Sequence, residues 1–215
     1  MDTNDSTNLG IKTVPDFSRE LELIGCGKQF IAGVDEAGRG PLAGPVVVCA
    51  VVLDANNIPN GLNDSKKLSP ARREVLFEEI ISSAQVSIIS VPPLMIEQLN
   101  IRGATLWGMV EAVRALPVLP HFSLIDGRDV PDDFPSEAEF MIKGDGRSVS
   151  IAAASIVAKV TRDRMCAILD FEEPNYGFGS HKGYGTAQHL AALQIFGACP
   201  HHRALFAPVA KAIAN

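Results

Sequence analysis

The order of apolar segments along the chain predicts an α/β sandwich, a mixed central β-sheet flanked by helices with a C-terminal helical region. Three observations carry that prediction. Short β-branched runs come first, at Ile31 to Val34 and Val46 to Leu53; helical and strand-like patterns then alternate from Ser69 onward; and the segments after Thr186 are helical. With 215 residues and 47% hydrophobic content, the chain can bury one sizeable core.

Each element has its own local reason. After a start expected to be frayed, Pro15-Asp16 opens a short helix with Phe17, Leu21 and Ile24 at helical spacing, expected to pack as a lid on the sheet, and Gly25 past its end. The runs Ile31 to Val34 and Val46 to Leu53 are split by the Gly/Pro segment Gly38 to Pro45 and read as neighbouring strands, the second central. Ser69-Pro70 supplies a cap and a first-turn proline for a helix to about Ser83, followed by a strand at Val86 to Val91. Pro92-Pro93 stops that strand, helical patterns cover Leu94 to Leu116, and Phe122 to Ile125 forms a strand ending on Asp126-Gly127. A loop is expected over Asp129 to Glu139, a short strand at Phe140 to Ile142, and a long helix from Ser148 to Phe171, whose small residues Ala152 to Ser155 allow close approach to a sheet. Tyr176 to Gly185 reads as a loop, Thr186 to Phe196 as a helix capped by Gly197, and Ala207 to Ala214 as the last helix.

A net charge of -6 argues against a protein that coats nucleic acid non-specifically, which needs a broad basic surface, but leaves room for a local basic groove. The four cysteines (Cys26, Cys49, Cys166, Cys199) lack paired metal spacing and read as reduced core residues. Met1 to Thr13 has no basic start followed by an apolar stretch, and the longest apolar run, Val46 to Leu53, is too short to span a bilayer, so a cytoplasmic, soluble protein without membrane contact is expected.

Val34-Asp35-Glu36-Ala37-Gly38-Arg39-Gly40 places two adjacent carboxylates between an apolar run and a glycine-rich turn, which no folding requirement asks for. Strand neighbours point to opposite faces, so Glu36 needs a kink or backbone involvement to join Asp35 at one centre. Asp126 at a strand tip and Asp163 on the long helix complete four acids that the chain could bring together. Hard oxygen donors of this kind suit Mg²⁺ or Mn²⁺ and not zinc, and two such ions can promote phosphodiester cleavage. Each acid also has a plainer reading: Asp126-Gly127 as a turn, and Lys159 with Asp163 as an i,i+4 pair.

The chain resembles the ribonuclease HII family, the bacterial type 2 ribonucleases H, from about Phe30 to Pro208. The resemblance rests on Gly33 to Val46, Asn63-Asp64-Ser65-Lys66, Leu124-Ile125-Asp126-Gly127, Lys143-Gly144-Asp145, Ala152 to Asp163 and His181-Lys182-Gly183-Tyr184, in the expected order. It implies an RNase H-like fold and Mg²⁺- or Mn²⁺-dependent endonucleolytic cleavage of RNA in RNA–DNA hybrids and at single ribonucleotides in duplex DNA, leaving 5'-phosphate and 3'-hydroxyl ends. By the same match Asp35, Glu36, Asp126 and Asp163 are the expected catalytic, metal-holding acids. Gly38, Arg39 and Gly40 are expected to read the ribose 2'-hydroxyl through backbone groups, Tyr184 to pack on the neighbouring sugar, and Ser65, Lys66, Lys143 and Lys182 to contact phosphates. The expected division is an N-terminal segment 1–28, an RNase H-like catalytic domain 29–185 and a C-terminal helical region 186–215. One departure is Leu205, where the family usually carries serine.

Competing readings fail on local grounds or stay open to test. Gly38-Arg39-Gly40 with Ala43 superficially fits a dinucleotide fingerprint, but Pro45 and a β-branched run follow where a helix must begin. Cys199-Pro200-His201-His202 lacks a second ligand pair for a metal, and His121 and His189 read as structural. An RNase H-like resolvase or integrase acting on DNA alone is the main alternative, and a non-catalytic hybrid-binding module is disfavoured by the acids. No docking tail for a replication partner is obvious, and a monomer is expected.

Overall fold

The computed structural model describes residues 14–214, so the start expected to be frayed falls largely on residues outside those described. Five strands, β1 (Ile31–Ala37), β2 (Val46–Val52), β3 (Gln85–Val91), β4 (Phe122–Asp126) and β5 (Glu137–Met141), form one sheet in the order β3-β2-β1-β4-β5. β2 is antiparallel to β1 and β3, whereas β1, β4 and β5 run parallel, which makes the sheet mixed as the sequence predicts.

Around it stand α1 (Ser18–Gly25), α2 (Pro70–Ser83), α3 (Pro93–Arg114), α4 (Val149–Glu172), the single turn α5 (Phe178–His181), α6 (Ala187–Phe196) and α7 (Ala207–Ala214). Alternation along β2 sorts the two cores. Val47, Cys49 and Val51 pack with α2 and α4, while Val46, Val48, Ala50 and Val52 pack with α3 on the other face. Gly33 is where β1 touches α4: a Cβ there would stand 2.0 Å from the Ser150 carbonyl carbon. The expectation of core cysteines is met at Cys49 and Cys166 but not at Cys26, which is exposed.

Three further local expectations change. In α1, Leu21 and Ile24 are exposed at 58% and 42%, and the buried face is instead Leu23 with Glu20. The reason is polar: Glu20 Oε1 accepts the Ser148 hydroxyl at 2.6 Å and the Ser150 amide at 3.1 Å, satisfying the start of α4. The strand expected at Phe140 to Ile142 is β5, shifted into the expected loop because its glutamates disguise it; Glu139 takes a two-pronged bond from Arg19, and Glu137 pairs with Lys28. The α3 segment breaks at Asn100 (φ 56°), whose side chain caps the second half by accepting from the Arg102 and Gly103 amides.

Candidate active site

The parallel register pairs Val34 with Ile125, so Asp35 and Asp126 follow side by side at the C-terminal ends of β1 and β4. β1 stays regular and paired with β2 through Ala37, without the kink expected of a shared centre; the bend comes afterwards, at Gly38 (φ 97°). Glu36 and Asp35 nevertheless feel each other's charge. Burial, then the charges of Glu36, Asp126 and Asp145, push the Asp35 carboxyl well above its ordinary value, even though Asp35 Oδ1 accepts the Glu36 amide at 2.7 Å. Burial raises Glu36 as well, against the lowering effect of Arg39 and with the help of Asp126.

The structure adds Asp145 to this group, a residue the sequence reading did not place among the acids. A 3-10 turn, Gly144–Gly146, sits just before α4; its Gly144 amide donates to Asp126 Oδ1 at 2.7 Å, and Asp145 is buried beside it. Burial raises the Asp145 carboxyl, and Asp64 and Asp126 raise it further. Burial opposes the Lys66 ammonium, but Asp145, Asp35, Asp64 and Asp126 together hold its pKa above the usual lysine value.

Asp163 is not brought to this group. It bonds Lys159 Nζ at 2.6 Å and lies 4.0 Å from Arg73, the plainer i,i+4 reading. α4 meets β1 at Ile151, and Asp163 lies a further twelve residues, about 18 Å, along the axis, whereas Asp35 is about 7 Å beyond Gly33 on the strand. Lys143-Gly144-Asp145, one of the stretches that carry the family resemblance, is the sequence signal that marks Asp145.

A cleft of about 600 Å³ opens on Asp126 and Asp145 and is walled by Lys66, Lys67, Arg128, Lys143 and Arg147. Lys67, Arg128 and Arg147 are basic residues that motif reading missed. Ser65, by contrast, is buried; its amide donates to Ser155 Oγ and its carbonyl accepts from Arg73. Lys182 turns back to the Gly179 carbonyl at 2.6 Å and shapes the Tyr184 loop without lining the cleft. Gly38, Arg39 and Gly40 follow β1 directly; Arg39 shares a small cleft with Asp126 and Arg128, Gly40 is exposed, and Tyr184, half exposed, stands against Gly40. A pocket of about 640 Å³ at the opposite end of the sheet has a single acid, Asp54, in its wall, so the charge chemistry belongs to the strand-end cleft.

Beneath Tyr184 two histidines form a buried relay. His189 Nδ1 donates to the Tyr184 carbonyl at 2.9 Å, its Nε2 meets His202 Nε2 at 3.0 Å, and His202 Nδ1 accepts the Cys199 amide at 3.0 Å, an arrangement that requires neutral rings. Burial, then His189, lowers His202 from 6.5 to about 4. Because the folded pKa is depressed, the contribution to stability is complete above pH 6.5 and is lost as pH falls through 4, up to about 3 kcal/mol. The raised acids act with opposite sign, so the test compares variants: urea unfolding of the wild type should weaken more steeply from pH 7 to 4.5 than that of His202→Gln, and parallel curves would exclude the relay as the cause.

A family model described as Ribonuclease HII matches residues 32–209. Ribonuclease HII of Azorhizobium caulinodans is 55% identical over 193 residues, covering 90% of this chain and 74% of its own. That of Rhizobium leguminosarum bv. trifolii is 52% identical over 201 residues, 94% and 88% respectively. Among solved structures, the ribonuclease H2 from Pyrococcus horikoshii matches with a TM-score of 0.70 at 28% identity, over 85% of this chain and 96% of that one. The structure of the PCNA:RNase HII complex from Archaeoglobus fulgidus gives 0.72 at 27% identity, over 83% and 95%.

Proposed function

The chain belongs to the ribonuclease HII family, and on that premise we propose that its strand-end cleft hydrolyses the RNA strand of RNA–DNA hybrids and incises duplex DNA 5' of a lone ribonucleotide, leaving 5'-phosphate and 3'-hydroxyl ends. The observation that carries this reading is that the strand register and the Gly144 hydrogen bond set Asp35 and Asp126 at neighbouring strand ends with Asp145 beside Asp126, and Glu36 next along β1, before an exposed Gly38-Arg39-Gly40 turn.

The donor set fits a hard divalent cation: four carboxylates, without thiolate or imidazole, three of them raised by burial and by one another's charge, and the fourth, Asp126, raised by burial and by Asp64. Among the described residues no three His, Cys, Asp or Glu side chains stand close enough together to hold a metal ion as they are, so a cation would have to draw these acids inward. Asp35, Glu36, Asp126 and Asp145 would hold Mg²⁺ or Mn²⁺, which when bound neutralises phosphate charge and acidifies a water. The chain's own residues do the rest. Lys66, Lys143 and their basic neighbours position phosphates, and the glycine turn admits the sugar edge without a side chain in the way.

The deciding assay is incision of a DNA duplex containing one ribonucleotide, with Mg²⁺ or Mn²⁺ and with chelator. Product 5' of the ribonucleotide is expected with metal, and equal cutting of an all-DNA control would favour the resolvase-type alternative. Tyr184→Ala should reduce the preference for a junction over a uniform hybrid by roughly tenfold, the scale of one lost stacking contact. An unchanged preference would remove Tyr184 from that role. The expected monomer is a proposal for light scattering to check, and among the described residues no helix is long and apolar enough to cross a membrane.

A further inference from the structure

Two arginines are fully buried behind the glycine turn, and among the described residues neither has a carboxylate partner. Arg203 donates through Nε to the Gly44 carbonyl (3.0 Å), through Nη1 to those of Arg39 (2.9 Å) and Pro41 (2.8 Å), and through Nη2 to that of Gly38 (2.6 Å). Arg162 takes the carbonyls of Ala43, Pro45 and Lys182. Burying a guanidinium against carbonyls alone costs free energy that a neutral core would not, so the arrangement calls for a role beyond packing.

Peptide stereochemistry supplies one. None of the described peptides is cis, and in a trans peptide the carbonyl and the following amide point in opposite directions. With the Gly38 and Arg39 carbonyls drawn inward by one guanidinium, the amides of Arg39 and Gly40 must face outward. Neither has a hydrogen-bond acceptor among the described residues, and both residues are exposed, beside Tyr184. We propose that Arg203 is a positioning residue for ribose recognition: its guanidinium fixes the orientation in which the Arg39 and Gly40 amides donate to the 2'-hydroxyl oxygen. This rests on the reading of Gly38-Arg39-Gly40 as the ribose-sensing turn. A lysine cannot replace it, because a single nitrogen cannot span four carbonyls in the plane of a fork.

The test compares affinities, by fluorescence anisotropy in chelator, for two duplexes of one sequence, with and without a single ribonucleotide. Arg203→Lys should shrink the preference for the ribonucleotide duplex about tenfold while the all-DNA affinity stays within about twofold, a split that simple loss of folded protein would not give. Gly40→Ala is the control for the turn, since its methyl meets nothing closer than Tyr184 Cε1 at 3.5 Å and so tests the sugar-facing surface without disturbing the fold. A preference lost in Gly40→Ala but kept in Arg203→Lys overturns the role of Arg203 alone; a preference kept in both, or absent from the wild type, overturns the turn reading beneath it. Should Arg203→Lys fail to fold, the guanidinium ¹⁵N signals of Arg203 in the wild type decide: they should shift with the ribonucleotide duplex and not with the all-DNA duplex, and equal shifts overturn the proposal.

Discussion

Asp145→Asn and Asp126→Asn are each expected to lower the single-turnover incision rate by roughly a thousandfold or more, the scale on which a cation's charge stabilisation acts, whereas Asp163→Asn should stay within about threefold of wild type. The contrast follows from placement. Asp126 and Asp145 are joined by the Gly144 amide and share their electrostatic surroundings with Asp35 and Lys66, while Asp163 is already neutralised by Lys159 on the flank of α4. Hybrid affinity should change little in the two inactive variants, because asparagine keeps the shape and removes the charge. An inactive Asp163→Asn beside an active Asp145→Asn would reverse the assignment of the fourth acid.

Gly33→Ala should be severely damaging, because its added methyl meets only backbone. The new Cβ would fall 2.0 to 2.3 Å from the Ser150 carbonyl and the Ile151 amide, all backbone atoms of α4 that cannot rotate aside. Relief requires moving α4 off the sheet along the contact that buries Ala152, Ala153 and Ala154. A loss of more than about 4 kcal/mol is expected, or failure to fold, which exceeds ordinary overpacking because nothing flexible can yield. Urea unfolding measures it, and a loss below about 1 kcal/mol would mean that β1 and α4 can part at little cost.

Much of this is legible in the sequence, and the failures share a cause. Ser69-Pro70, the β-branched β2 run and the Gly197 cap announce their elements through local chemistry alone, so those boundaries agree closely. Asp35, Glu36 and Asp126 are recognisable because strand tips and glycine turns leave a sequence signature. β5 and the face of α1 are not, because each depends on a partner distant in the chain, Arg19 and Lys28 for the glutamates of β5 and Ser148 for Glu20; Asp145 carries a motif, but its place beside Asp126 depends on the 3-10 turn that Asp126 holds. The two buried arginines are invisible for the same reason. Composition marks arginine as a surface residue, and only the seven carbonyls gathered around them show otherwise.

Glu20 ties the amino-terminal helix to the turn that carries Asp145, a link that its distance from the acids conceals. The family model's match begins at residue 32, after α1, yet Glu20 clamps Ser148 and Ser150, and the Asp16 amide is bonded to the Arg147 carbonyl. These are the residues directly downstream of Asp145. Trimming the chain to residues 32–209 would therefore slacken the turn that carries Asp145, so that a shortened protein retaining every acid would hold them less firmly in place.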